Sequence, residues 1–485
     1  MLRATFLGHQ GWLVRGGDTH LLIDPLLGAG FGHGGLVGEL YPPRRLDLAA
    51  FPALDAVVLS HEHDDHFDIP SLLRLDRRIP IYFPERASIA GRGLLQALGF
   101  TVRPLAPAAD HEIGELRLRT FVADHRGADL GDEWEVAPML LRDVAGDGAL
   151  ASSIDVPPPP AMLAALGELA PRPGIWAHAN NTSIDAHQRL GATSAAPPSD
   201  AAAIASALLQ RYAAIERAWG APAALAIVGG GWSFPGERAW QNHAAFPVDN
   251  ERLATALAAV TPRTRCLAAL PGTTLTMVGG ELVGIEAESP FVSALPRDRW
   301  PAREYRPGLP AVAEYGPASG RCDFDERRLG DLLTGLDDLA RHLYGGALFR
   351  ALMALDPGEC GGRRPAVALR LRLDHRGAAL VLRYDPGSCS FGQVESAAPT
   401  EEFLSGIECW ATDLLGLFAG DLGPSALCYA GRLRAWNHAP RRLWVSPQLL
   451  WTFAHPLRRP AATARLYRRL IAEAAAISPE LRARA

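Results

Sequence analysis

Residues 61–66 read His-Glu-His-Asp-Asp-His, an H-x-H-x-D-H run that places three imidazoles and a carboxylate within six residues. Neutral imidazole and carboxylate are the ligands that borderline divalent metals accept, zinc first, with iron and manganese as alternatives. Four such groups crowd a single ion, so the natural solution divides them between two. His61, His63, Asp65 and His66 are therefore the candidate metal ligands. Asp65 is also the candidate catalytic carboxylate, able both to ligate and to orient a metal-bound hydroxide. A solvated turn would explain a lone H-x-H, but accounts poorly for the whole pattern directly behind an apolar run. No serine nucleophile elbow or phosphate-binding loop is present, so the nucleophile has to come from the metal.

The elements that must position this run can be read around it. Residues 54–60 are apolar and partly β-branched, and predict a short buried strand that ends where the histidines begin. Residues 6–14 and 20–23 predict a hairpin around Gly16-Gly17-Asp18, closed by Asp24-Pro25. Further strands are expected over 79–83, 116–122, 137–143, 149–154, 174–177, 223–228 and 264–270. Helices are expected over 69–75, 86–98, 157–169, 201–219 and 250–260. This alternation is α/β in type. Residues 289–324 are proline-rich and read as a connection. Residues 325–485 read as a smaller α+β domain. It has a helix over 323–355, strands at 366–373, 378–384, 407–411 and 428–433, and a last helix at 461–475.

Bulk composition narrows the function classes. The chain has 485 residues, 48% hydrophobic and 21% charged, which suits a globular protein with large cores. Net charge is −5 without a basic block, which argues against binding driven by nucleic-acid phosphates. Every basic residue other than histidine is arginine. The six cysteines are scattered through the second half without a C-x-x-C pair, as expected of reduced thiols in a cytoplasmic protein. The N-terminus lacks signal-peptide anatomy, and no apolar run is long enough for a transmembrane segment.

Together, residues 6–13 (Phe-Leu-Gly-His-Gln-Gly-Trp-Leu), Leu22-Ile23-Asp24-Pro25 and residues 60–66 resemble the metallo-β-lactamase superfamily. The likeness is to the branch with lactonase-type and N-acyl-phosphatidylethanolamine phospholipase D-type members, and it covers about residues 1–288. It implies an αββα sandwich with the metal site on loops at one edge of the two sheets. It implies that His61 and His63 hold one metal and that Asp65 and His66 hold the other. It also implies His125 as a further ligand after a strand, and Asp155 as the bridging carboxylate, with Ile154 where the family has glycine. The last family ligand is a histidine at the end of a late strand, but here Leu270 is followed by Pro271-Gly272. His178 and His243 are candidate substitutes, and Glu133 is a carboxylate candidate. Asp24 is expected to accept a hydrogen bond from a ligand histidine, and His9 to do similar work or to cap the hairpin.

The resemblance implies a metallo-hydrolase with one or two zinc ions, acting on an ester, thioester, lactone, amide or phosphodiester. The alternative is a non-haem iron oxygenase on the same fold, similar to the metal domain of the CMP-N-acetylneuraminate hydroxylase type. The expected partner is a small-molecule substrate, with a homodimer as a further expectation. Residues 407–415, 417–420 and 431–433 resemble a sterol-carrier-protein-like domain, which implies an acyl-containing ligand or a dimerisation role.

Overall fold

Strand residues that are apolar on both faces need cover on both sides, and these strands receive it from two stacked sheets with helices outside them. The computed structural model describes residues 1–123, 135–182, 201–306, 309, 312, 314–439 and 449–478. Among the described residues, an eight-stranded sheet runs in the order Glu281–Glu286, Thr274–Val278, Leu2–Gly8, Gly11–Gly16, Thr19–Ile23, Ala56–Val58, Ile81–Pro84, Val102–Leu105. A seven-stranded sheet faces it, ordered Asp110–Ile113, Leu116–Thr120, Met139–Asp143, Ala149–Ser152, Ile175–Asn180, Ala224–Gly229, Arg265–Ala268. Leu21, Ile23, Ala56 and Val58 point inward and meet Ile175, Ala177, Ala224 and Val228 of the other sheet. Their neighbours Leu22 and Val57 point outward onto Leu72 and Leu94 of the helices Ile69–Arg74 and Ile89–Ala97. Trp176 and Ile227 point outward on the opposite side, onto Leu166, Tyr212 and Leu257. The αββα sandwich is thus present, followed by an α+β unit with its own core.

That unit is built on a five-stranded sheet, ordered Ser390–Gln393, Ala379–Asp385, Arg364–Arg372, Phe403–Trp410, Leu433–Asn437. Several expected elements shift. The strand expected at 428–433 is instead the helix Pro424–Cys428 followed by the strand Leu433–Asn437. The helix expected over 323–355 breaks at Gly346, whose backbone is extended (φ −79°, ψ 129°), into Leu329–Gly345 and Ala347–Met353. The connection after residue 288 contributes Val292–Ala294, which pairs with Arg44–Leu46. Unforeseen was the hairpin Thr274–Val278/Glu281–Glu286, which turns at Gly279 and Gly280, both at positive φ. Its outer strand is largely exposed and carries little hydrophobic alternation.

The last helix, Pro460–Ile477, returns to the first sandwich. Leu466, Tyr467 and Leu470 pack in the same cluster as Leu72 and Leu94. The buried Tyr467 hydroxyl donates to Glu62 Oε1 at 2.7 Å. Glu62 also accepts from the Ser88 backbone N–H at 2.7 Å and hydroxyl at 2.6 Å, and Ser88 caps the helix Ile89–Ala97. Burial and the neighbouring Glu62 hold the tyrosine hydroxyl well above its ordinary range, so it stays a donor. Tyr467→Phe removes one donor from a buried carboxylate and should cost about 1–2 kcal/mol in urea unfolding. Unchanged stability would mean that Ser88 alone satisfies Glu62.

Candidate metal centre

Four parallel strands, two in each sheet, end at the same edge, where side chains from separate loops can converge. Asp24 follows Thr19–Ile23, and residues 60–66 follow Ala56–Val58. Asp155 follows Ala149–Ser152, and Asn181 follows Ile175–Asn180. Two of these turns hold non-glycine residues at positive φ, Asp24 at 40° and Ile154 at 58°. For a β-branched residue this conformation is strained. Ile154 therefore keeps the backbone that a glycine would adopt freely, while its side chain is buried between the sheets.

The Asp24 carboxylate, 1% exposed, is the anchor of the edge. Its Oδ1 accepts the Ser60 backbone N–H at 2.7 Å, and its Oδ2 accepts the Ser60 hydroxyl at 2.6 Å. The same Oδ2 lies 2.8 Å from His66 Nδ1. A hydrogen bond to Nδ1 leaves Nε2 with the lone pair, the tautomer a metal ligand needs. This is the role expected of Asp24.

Two groups of candidate ligand atoms share His66. One joins His61, His66 and Asp155, and the other joins His9, Asp65 and His66; within each the ligand atoms lie within 4.8 Å of one another. Asp155 Oδ2 is 3.2 Å from His61 Nε2 and 3.0 Å from His66 Nε2. Yet both imidazole nitrogens are buried and make no hydrogen bond among the described residues. Two imidazole nitrogens that converge on one buried carboxylate oxygen suit a cation between them, a proton or a metal ion. The other Asp155 oxygen accepts from the Gln10 and Asn181 amides, which aims Oδ2 inward. In the second group, His9 Nε2 is 2.7 Å from Asp65 Oδ2, which is 3.7 Å from His66 Nε2.

The charges are strongly interdependent. Burial disfavours a His66 imidazolium, but Asp155, Asp65 and Asp24 outweigh it and hold the ring well above its usual range. Burial would likewise raise Asp155, but His66 and His61 keep it well below the ordinary carboxylate value. Asp65 is lowered in the same way, against burial, by His66 and His9. His63 is pushed down to about 3, by burial first and by His61 next. Anions packed this tightly need a positive charge among them, either a proton or a metal ion.

The structure brings together His61, Asp65, His66 and Asp155. His63 is buried beside them, its ring 4.4 Å from that of His61, but it is in neither converging group. His178 is not brought in: it shares the outer face of its strand with Trp176, and burial and Arg211 lower it to about 4. His243 is engaged elsewhere, with Nδ1 at 2.8 Å from the Glu304 carbonyl oxygen. His125 and Glu133 lie outside the described residues. Of the two roles expected of His9, orienting a ligand or capping the hairpin, its contact with Asp65 matches the first. His9 sits at φ 54° after Gly8 at 114°, and that turn carries its ring to Asp65. A side chain on Gly8 would come to 3.6 Å from Pro271, so the turn that carries His9 lies next to the strand end at Pro271-Gly272. Gln10 and Asn181 had no sequence signal beyond their place in turns.

Parts of the chain are similar to known proteins. The family model described as "Beta-lactamase superfamily domain" matches residues 19–140, a segment that contains the whole histidine run. Uncharacterized proteins of Mycobacterium tuberculosis and Mycobacterium bovis are 37% identical over 87 residues, 17% of this chain and 23% of theirs. The chain thus spans about a quarter of the length of those relatives. Among solved structures, CmlA, a diiron β-hydroxylase from Streptomyces venezuelae, is 18% identical with a TM-score of 0.38, over 57% of this chain and 54% of its own. The isothiocyanate hydrolase from Delia radicum gut bacteria is 14% identical with a TM-score of 0.37, over 57% of this chain and 100% of its own.

Asp24→Asn keeps a side chain of the same shape but removes the charged acceptor of His66 Nδ1. Metal affinity, measured by competition with a chromophoric chelator, should fall roughly 10- to 100-fold. Unchanged affinity would show that His66 is oriented by other contacts.

Proposed function

We propose that this protein is a metal-dependent enzyme, a hydrolase acting on an ester, thioester, lactone, amide or phosphodiester bond of a small molecule. The observation that carries the reading is the convergence of two buried imidazole nitrogens, His61 Nε2 and His66 Nε2, on Asp155 Oδ2 at 3.2 and 3.0 Å. His61, His66 and Asp155 would hold one ion, with His63 beside them, and His9 and Asp65 would hold a second, because the one free nitrogen of His66 ligates a single ion. Zinc suits this donor set. A bound metal would supply Lewis acidity and a water of lowered pKa. Asp65 is 20% exposed on the cavity side, more than Asp155 at 10%, so it is the carboxylate best placed to orient an attacking water and take its proton. Asp24, Gln10 and Asn181 hold the ligands still.

A specific observation also favours iron chemistry on the same scaffold. Each converging group contains two imidazoles and one carboxylate, the donor composition of non-haem iron oxygenases. Elemental analysis of full-length protein purified without added metal separates the two. The hydrolase reading expects up to two zinc per chain and turnover on an ester, lactone or phosphodiester panel. It also expects His61→Ala to lower both metal content and rate, the rate by about 10³-fold or more. Iron with dioxygen uptake would replace hydrolysis by oxidation. No metal in either protein would overturn both readings.

A further inference from the structure

Above the two groups lies a cavity of about 230 Å³ that neither part of the chain forms alone. His9, Phe31, His63, Asp65, Asp155, Trp232 and Phe246 come from the sandwich, and Ser425, Tyr429 and Trp451 from the C-terminal unit. One wall is a continuous arc of rings. His9 and Phe31 have centroids 6.1 Å apart, Phe31 and Trp232 5.7 Å, Trp232 and Tyr429 5.4 Å. Tyr429 and Trp451 are 5.2 Å apart, and Trp451 and His63 4.6 Å. The arc therefore starts and ends on imidazoles of the candidate metal centre. Phe246 braces it behind Trp232 at 5.1 Å, and Gly231 is required there, because a Cβ would come to 2.2 Å from the Phe246 ring.

The opposite wall is polar, with Asp155, Asn181, Thr182 and Arg211. Arg211, on the helix Ala201–Trp219, is the only arginine in the lining and makes no ion pair or hydrogen bond among the described residues. The nearby carboxylates are engaged: Asp64 by Ser425, Asp65 by His9, and Asp155 by Gln10 and Asn181. The cavity lining thus combines stacking surface with an uncommitted guanidinium, and it includes His9, Asp65 and Asp155 of the candidate ligand groups.

We infer that the cavity takes a small molecule bearing one planar aromatic group and one anionic group, of the aryl-carboxylate class, the ring against Trp232, Tyr429 and Trp451 and the anion on Arg211. The volume suits one ring and a short side chain rather than a drug-sized ligand. Guanidinium matches carboxylate geometry through paired N–H donors, and flat rings stack at little entropic cost. This assignment rests on the metal-enzyme reading for its role in catalysis, but binding itself is testable without turnover.

The test is calorimetric titration of full-length protein, metal-loaded and metal-stripped, with phenylacetate, acetate and benzyl alcohol as probes. Metal content is read on the same samples. Phenylacetate should bind at least about tenfold more tightly than either fragment, and Arg211→Gln and Trp451→Leu should each weaken it roughly tenfold or more. Arg211 is exposed, so its substitution leaves the core intact even if Trp451→Leu fails to fold. Equal affinity for phenylacetate and acetate, or affinity that needs metal but not Arg211, would overturn the assignment. If metal is present and phenylacetate fails to bind, the cavity assignment alone falls. If metal is absent and Arg211-dependent binding persists, the cavity assignment stands and the metal reading falls.

Discussion

A carboxylate that is almost fully buried must be given partners, and at the working edge of this protein that carboxylate is Asp24. It takes the Ser60 N–H and hydroxyl on one side of the turn and the His66 Nδ1 on the other. Those bonds fix where the chain leaves the strand Ala56–Val58 and which nitrogen of His66 is turned towards Asp155. Everything else at the site follows from that placement. His66 belongs to both candidate ligand groups, so its ring orientation bears on each. Without a metal, a proton on His66 does the work of the cation, keeping Asp155 and Asp65 ionised against the cost of burial. The cluster is therefore coupled: altering one ligand alters the protonation of the rest.

The positions of the histidine run outside the two converging groups matter as much as those within them. Glu62 is held by Tyr467 and Ser88, His63 faces Trp451, and Asp64 accepts from Ser425. Three successive residues are thus gripped from the C-terminal third of the chain. A further link runs from the Gly423 backbone N–H to His33 Nε2 at 2.9 Å. The C-terminal unit is consequently part of the active edge: it closes the cavity with rings and stiffens the loop that carries the candidate metal ligands.

What the sequence revealed follows from how local each feature is. His61, His63, Asp65 and His66 are contiguous, and a strand running into a turn is enough to present them, so they were legible. Asp24 was legible because its Asp-Pro ends a readable hairpin. Gln10 and Asn181 were not, because an amide becomes a partner of Asp155 only after two sheet edges meet. Which partner His9 reaches was not legible, because its reach depends on two successive positive-φ residues, which periodicity does not encode. The same holds in the C-terminal unit, where residues 424–437 are buried on nearly all sides. There an apolar run fits helix and strand equally, and Pro424 at a helix start decided the outcome.

The central claim is that His61, His66 and Asp155 converge on a cation. It is tested most directly by anomalous diffraction from crystals of the full-length protein grown without added metal. The account predicts a peak about 2.0–2.2 Å from His61 Nε2, His66 Nε2 and an Asp155 oxygen, with an absorption edge that identifies the element. Refined density showing these nitrogens hydrogen-bonded directly to Asp155 or to water, with no anomalous signal among them, would contradict it.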